Sequence, residues 1–298
     1  MRIAIMFLAA LLVLWAPAAS AQSDDRFVNV DIAITPLRDG LALLTGQGGN
    51  IVLSSGVDGA FIIDDQFAPL GDKIRAAIAT LSDKPVRFVL NTHFHGDHTG
   101  GNESFGGAGA VIVAHDNVRK RMSQAQFLET FKRDLKPAPA AALPLVTFSD
   151  GLSLHLNGQN VRVMHVAHAH TDGDAMVWFA EAKVLHMGDI YFNGLYPFID
   201  VDAGGGINGM IAGVDTALAL IDDSALVVPG HGPLSNRAEL AAYGEMLRDF
   251  HTRVAALKQQ GKSLDEVIAA QPTAQYNAVW AGQFISPELL IGFIYKTL

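Results

Sequence analysis

The chain has 298 residues, half of them apolar and 17% charged, a balance that needs a buried core and excludes a disordered or low-complexity protein. Lys and Arg number 21 against 30 Asp and Glu, a net charge of −9, which is the opposite of what a phosphate-gripping nucleic-acid binder carries. Cysteine is absent, so disulfides, thiolate metal ligands and a cysteine nucleophile are excluded together, and any metal must be held by His, Asp or Glu.

The first residues read as a leader. Met1-Arg2 starts positive, Ile3 to Ala16 is an uninterrupted apolar run, Pro17 breaks it, and Ala19-Ser20-Ala21 places small residues at the −3 and −1 positions of a cleavage site. The apolar run would span about 21 Å as a helix, short of a ~30 Å hydrocarbon core, so a Sec-type signal peptide over residues 1–21 is expected rather than an anchor. Residues 22–298 are then one exported domain, expected in a periplasm and off the membrane once the leader is cleaved.

Short β-rich runs follow at Val28–Thr35, Leu41–Thr45, Asn50–Ser55 and Ala60–Asp64, separated by Gly and Asp turns. Pro69–Leu81 has helical spacing, Val86–Leu90 reads as a buried strand, Ala110–Ala114 as another, and Asn117–Met122 as a helix. A second strand series occupies Leu152–Leu156, Val161–Val166, Ala175–Phe179 and Lys183–His186. Ile207–Ile221 is a predicted helix, Ala225–Val228 a short strand and Arg237–Gln259 a long amphipathic helix. Two shorter helices close the chain, one opened by Ser263 with Glu266 and one by Ser286 with Pro287 at its first position. Strands followed by helix thus occur twice. Two half-domains packing sheet against sheet with helices outside is the economical layered solution, with Pro137–Pro144 the expected crossing between them.

The chemistry sits in the segment Asn91-Thr92-His93-Phe94-His95-Gly96-Asp97-His98, directly after the strand Val86–Leu90. His93 and His95 are two apart, so in extended chain their imidazoles share a side. Asp97 and His98 are adjacent and can reach a second point only if the chain turns, which Gly96 is expected to allow. Three imidazoles and a carboxylate in six residues suit zinc or another borderline first-row metal, and one tetrahedral ion cannot take all four and still bind substrate, so two metals are implied. Further ligand types stand just past strands: His170 in AHTDGD, Asp189 in HMGD and His231 in PGHG.

With these motifs in order, the chain resembles the metallo-β-lactamase-fold hydrolase superfamily over nearly all of residues 27–298. The resemblance implies an α/β fold, the αββα sandwich of two mixed β-sheets with helices on both outer faces. It also implies His93, His95 and His170 on a first Zn²⁺, Asp97, His98 and His231 on a second, and Asp189 bridging both. Common β-lactamase subclasses place a Cys on the second metal, which this chain lacks. The subclass with Asp-His-His there usually lacks the bridging Asp. The full seven-ligand set looks like glyoxalase II-type thioesterases, lactonases and related hydrolases, while HTGGNESFG, AHDNVRKRM and AHTDGDAMVWF look like an exported bacterial branch labelled β-lactamase-like. Asp64, closing the strand before the metal loop, is similar to the family's buried bracing Asp, with a plain strand-end turn as the other reading.

Two Zn²⁺ less two carboxylates and a hydroxide leave about +1, which favours a small anionic substrate. A metal lowers bound water's pKa from 15.7 to about 7, so a hydroxide nucleophile needs no protein base, and Asp97 is placed to handle its proton. The expected activity is opening of a β-lactam-like amide, lactone or ester. A glyoxalase II-type thioesterase is the alternative, and a mononuclear-iron persulfide dioxygenase the alternative of another class. The remaining six histidines are expected to play no ligand role. Gly46–Asn50 is expected to be a flexible loop closing over ligand, and the aromatics of Tyr191–Gly206 an exposed loop walling the pocket.

Overall fold

The structure is a computed structural model that describes residues 25–282 and 284–298, so the predicted leader lies outside the described residues. Strands β1 (Ala33–Pro36), β2 (Leu41–Thr45), β3 (Ile51–Gly56) and β4 (Gly59–Ile63) form an antiparallel meander. Helix α1 (Gly71–Ala79) then carries the chain to β5 (Val86–Leu90), which pairs parallel to β4. The short helices α2 (Gly96–Thr99) and α3 (Asn102–Gly107) lead to β6 (Val111–His115), followed by α4 (Asp116–Met122). A separate hairpin, β7 (Gln126–Leu128) and β8 (Arg133–Leu135), precedes β9 (Val146–Phe148), which completes a seven-stranded sheet in the order β1-β2-β3-β4-β5-β6-β9.

The second sheet runs β10 (Gly151–Leu156), β11 (Gln159–Val166), β12 (Asp174–Phe179) and β13 (Val184–His186), antiparallel throughout. After α5 (Ile207–Leu220), β14 (Leu226–Val228) joins parallel to β13, and β15 (Ser235–Asn236) closes the edge. Helices α6 (Arg237–Gln259), α7 (Leu264–Ala269), α8 (Ala274–Trp280) and α9 (Pro287–Thr297) follow.

The two-residue period of the strands builds the layers. Leu41, Leu43, Val52, Phe61 and Ile63 face Val161, Val163, Val177 and Phe179 between the sheets, with the Phe61 and Phe179 rings 5.9 Å apart. The alternate residues Ala42, Leu44, Ile51, Leu53 and Ile62 turn outward to pack on Ile74 and Ile78 of α1. On the far side, Met176, Trp178 and Leu185 meet Met210 and Val214 of α5, Tyr243 and Leu247 of α6, and Leu290 and Ile294 of α9. These are the helix–sheet–sheet–helix layers expected. Helix α7 opens with Ser263 and Glu266 as a reciprocal capping box, and Ser286 caps α9 ahead of Pro287.

Several expectations need correcting. Residues 28–32 do not extend β1, because Lys73 Nζ takes the carbonyls of Phe27, Val28 and Val30 at 2.7–3.0 Å and withdraws them from strand pairing. The crossing between halves is not Pro137–Pro144 but Ser149-Asp150, between β9 and β10. The proline-rich stretch instead covers α3, where Asn102 donates to the Ala142 carbonyl at 3.0 Å.

Candidate metal centre

The C-terminal ends of β5, β11, β13 and β14 come together at one edge of the sandwich, and each delivers side chains past its last paired residue. The structure brings all seven predicted residues together there. His93, His95 and His170 form one group whose ligand atoms lie within 4.8 Å of one another; Asp97, His98 and His231 form another; His93, His98 and Asp189 link the two. The first group is buried, whereas the Asp97 and His231 side chains are 26% and 20% exposed, so the assembly opens to solvent on their side.

Each inward-facing nitrogen is set by what holds the far side of its ring. His98 Nδ1 donates to Asp64 Oδ2 at 2.7 Å, which turns Nε2 toward Asp189 and His231. His95 Nε2 is tied to Asp200 Oδ2 at 2.9 Å, which turns Nδ1 toward His170. His170 Nδ1 donates to the Phe198 carbonyl at 2.8 Å, and His93 Nδ1 donates to Thr92 Oγ1 at 3.0 Å. Thr92 Oγ1 in turn donates to Asp64 at 2.8 Å, and the Thr92 amide does so at 2.7 Å. Asp64 is therefore fully buried and braces the loop, adopting φ +61° to do it. Its role as a brace is the reading the geometry supports, not that of a turn carboxylate.

Around His93, His95, His170 and Asp189 the inward atoms then face each other without protons to share. His93 Nε2 and Asp189 Oδ1 are buried without any hydrogen-bond partner, and His95 Nδ1 stands 2.9 Å from His170 Nε2 with both far nitrogens already committed as donors. Lone pairs held that close suit a cation placed among them. The electrostatics favour positive charge at the same place. Burial would lower the His231 imidazole, but Asp189 and Asp97 raise it to about 9, and His98 is likewise raised by Asp189, Asp64 and Asp97 against its burial. Burial would raise Asp189 and Asp97, but the surrounding imidazoles hold both well below the usual carboxylate range. His93 and His170 are pushed down by burial, His170 to about 4, which keeps them neutral as ligands must be. The donor set is all imidazole and carboxylate, the choice of borderline divalent metals.

Two loops, one expected to be flexible and one expected to be exposed, are fixtures of the site. Gly46–Asn50 is tethered at both halves: Gly49 donates to the Asp97 carbonyl at 3.0 Å, and Asn50 Nδ2 donates to the Pro229 and Gly232 carbonyls, each at 2.9 Å, strapping one half of the molecule to the other. A Cβ on Gly49 would stand 2.1 Å from the His98 ring, and one on Gly230 2.0 Å from Asp189 Oδ1, so these glycines let the backbone approach the ligands. Gly96 does otherwise: it begins the single helical turn α2, with nothing within 4 Å of a Cβ, so the turn there comes from helical geometry and not from glycine. Tyr191, Phe192, Tyr196 and Phe198 are not exposed but buried. Phe198 stacks on His95 and lines the pocket, Phe192 stacks on His231, and Tyr191 and Tyr196 belong to the core under α6 and α8.

Among the other histidines, His186 Nε2 meets the Asn50 carbonyl at 2.9 Å, and His115 and His165 stack on each other 3.8 Å apart. Sequence reasoning missed Asp200, Thr92, and the β7–β8 hairpin with Phe284 as a pocket wall. Asp200 lies 105 residues from His95, and only the three-dimensional arrangement pairs them.

A sheet-on-sheet sandwich with a His/Asp cluster at the strand ends defines a class of α/β proteins built to hold metal. Residues 42–231 match the family model of the metallo-beta-lactamase superfamily, and the chain belongs to that superfamily. It is 29% identical over 171 residues, 56% of this chain and 57% of the relative, to a hydroxyacylglutathione hydrolase of Polaromonas sp.. It is 24% identical over 253 residues, 71% of this chain and 47% of the relative, to a linear primary-alkylsulfatase of Pseudomonas sp.. The chain thus spans about half the length of these curated relatives. A metallo-beta-lactamase from Pontibacter korlensis has the same fold, with a TM-score of 0.60 and 19% identity over 74% of this chain and 100% of that one.

Proposed function

We infer that this protein is a hydrolase holding two zinc ions, acting on a small substrate that carries an acyl bond, of the β-lactam-like amide, lactone or ester type. The observation that carries this reading is the set of seven inward-facing donors, each of the four best-tethered imidazoles locked from behind, with orphaned buried atoms at His93 Nε2 and Asp189 Oδ1. His93, His95 and His170 would hold one ion and Asp97, His98 and His231 the other, with Asp189 between. Zinc, when bound, supplies Lewis acidity: it polarises an acyl oxygen and makes water acidic enough to ionise near neutral pH. Four of the chain's own residues do the rest. Asp97, a quarter exposed at the pocket mouth and 3.3 Å from His231, is the carboxylate placed to accept and pass on a proton. Asp64 and Asp200 keep His98 and His95 in the tautomers that leave the inward nitrogens unprotonated. Phe198, over His95 and His170, excludes water from the buried side.

A thioesterase of the hydroxyacylglutathione hydrolase kind is the second reading, supported by the similarity to such an enzyme. Export through the leader at residues 1–21 is part of the same proposal. Assay of residues 22–298 with nitrocefin, a lactone and a glutathione thioester, with and without chelator, tests it. Chelator-sensitive cleavage of one of them, lost together with metal in Asp97→Ala, is the expected result. Metal-independent cleavage, or wild-type turnover by Asp97→Ala, contradicts it.

A further inference from the structure

The metal-ligand cluster forms the floor of a cavity of about 340 Å³, whose lining includes His95, Asp97, Asp189 and His231. Its walls are of a different kind. Phe131, Phe198 and Phe284 form a connected aromatic group, with Phe131 5.1 Å from Phe198 and 5.9 Å from Phe284. Phe131 and Phe284 remain 43% and 48% exposed, an expense of apolar surface that a filled pocket would recover. The β7–β8 hairpin supplies much of the wall by strand periodicity. Leu128 pairs directly with Arg133, and Arg133 and Leu135 are two apart, so all three share one face, and all three line the cavity. Phe127 and Asp134 take the other face, and Phe127 is 49% exposed there.

Arg133, itself exposed to solvent, therefore brings a cation to an apolar wall of an otherwise acidic protein. Arg121 nearby in sequence is clamped by Asp172 through two 2.7 Å contacts, whereas Arg133 meets no carboxylate among the described residues. Arg26, beside Phe27, adds a second cation to the lining. The acidic groups of the lining, Asp97 and Asp189, belong to the metal cluster.

Building on the hydrolase reading above, we propose that the pocket selects amphiphilic anions: substrates with an alkyl or aryl part lying on Phe131, Phe198, Phe284 and Leu135, and an anionic group held by Arg133. The hairpin is the specificity element, and Arg133 is its anion-binding residue. A guanidinium fits a carboxylate or a sulfonate through paired N–H donors, and the apolar wall adds affinity with each buried methylene.

The test is binding to the zinc-loaded mature chain, measured calorimetrically with hexane-1-sulfonate, methanesulfonate and 1-hexanol, none of which is cleaved. Hexane-1-sulfonate is expected to bind at least about tenfold more tightly than either of the others, since it alone engages both features. Arg133→Gln is expected to remove that advantage over 1-hexanol, Arg133→Lys to restore part of it, and Phe131→Ala to remove the advantage over methanesulfonate. Arg162→Ala, which deletes an exposed positive charge on β11 outside the pocket lining, controls for overall charge and is expected to leave the ranking unchanged. Equal binding of the two sulfonates, equal binding of hexane-1-sulfonate and 1-hexanol, or full binding by Arg133→Gln overturns the proposal. The hydrolase reading fails separately, by absence of chelator-sensitive turnover while this binding pattern persists.

Discussion

Asp64 Oδ2 stands 2.7 Å from His98 Nδ1, and both side chains are wholly buried. The same carboxylate takes the Thr92 amide and hydroxyl, so a single residue at the end of β4 fixes both the metal loop's backbone and the tautomer of one of its imidazoles. Asp64→Asn keeps the shape but replaces an acceptor oxygen with a donor. It is expected to weaken metal affinity roughly 10–100-fold while the protein still folds. Chelator competition on the purified variant measures this, and unchanged affinity would remove Asp64 from the site.

Asp200 makes the equivalent claim from the other half of the molecule. Asp200→Asn is expected to loosen His95 and lower metal affinity in the same roughly 10–100-fold range. The loss should fall on one of the two ions, so stoichiometry at limiting metal is the measurement to make. A variant that retains both ions at wild-type affinity would show that the carboxylate merely fills space.

The two glycines near His98 give opposite expectations. Gly49→Ala drives a Cβ to within 2.1 Å of the His98 ring, so it is expected to displace that ligand and to cost about 1–3 kcal/mol by overpacking. Gly96→Ala adds its methyl to open space at the start of α2 and is expected to leave the melting temperature within a degree or so. Thermal unfolding with metal analysis separates the two. Equal effects would contradict the close approach of the Gly46–Asn50 loop.

A pH effect follows from the stacked pair His115 and His165. Burial, and then the His165 ring, lower the His115 imidazole below its ordinary value; the hydrogen bond to the Ser149 carbonyl, then Asp116 and Asp172, oppose this without reversing it. As pH falls, the unfolded chain therefore takes up the proton first. The stability from neutral His115 is whole above about pH 6.5 and is lost as pH falls through the lowered value. His115→Asn keeps an acceptor for the Asn117 amide at the start of α4 and is expected to flatten the fall in melting temperature between about pH 8 and 5. An identical pH profile for the variant would contradict this.

What the sequence made legible was whatever is written locally. The continuous apolar runs of Leu41–Thr45 and Ala60–Asp64 declare strands buried on both faces, and Ser263 with Glu266 declares a helix start. His93, His95, Asp97 and His98 sit close enough in sequence for spacing alone to suggest a metal loop. Asp200 was not legible, because its partner His95 is distant in sequence and the pair Asp200 and Asp202 before Gly204-Gly205-Gly206 looks like a turn. The β7–β8 hairpin was missed because its strands are three residues each and partly exposed, with too little alternation to register. The aromatic run Tyr191–Phe198 was misplaced for the opposite reason: a stretch without periodicity reads as surface loop, yet here it is threaded between α6, α8 and the metal cluster.

The two-ion centre is the account's central claim, and the most direct test is metal content. Purified residues 22–298, loaded with zinc and freed of excess, should carry two equivalents by mass spectrometry, falling to about one in His231→Ala, which leaves His93, His95 and His170 intact. One equivalent or none in the wild-type chain would contradict it.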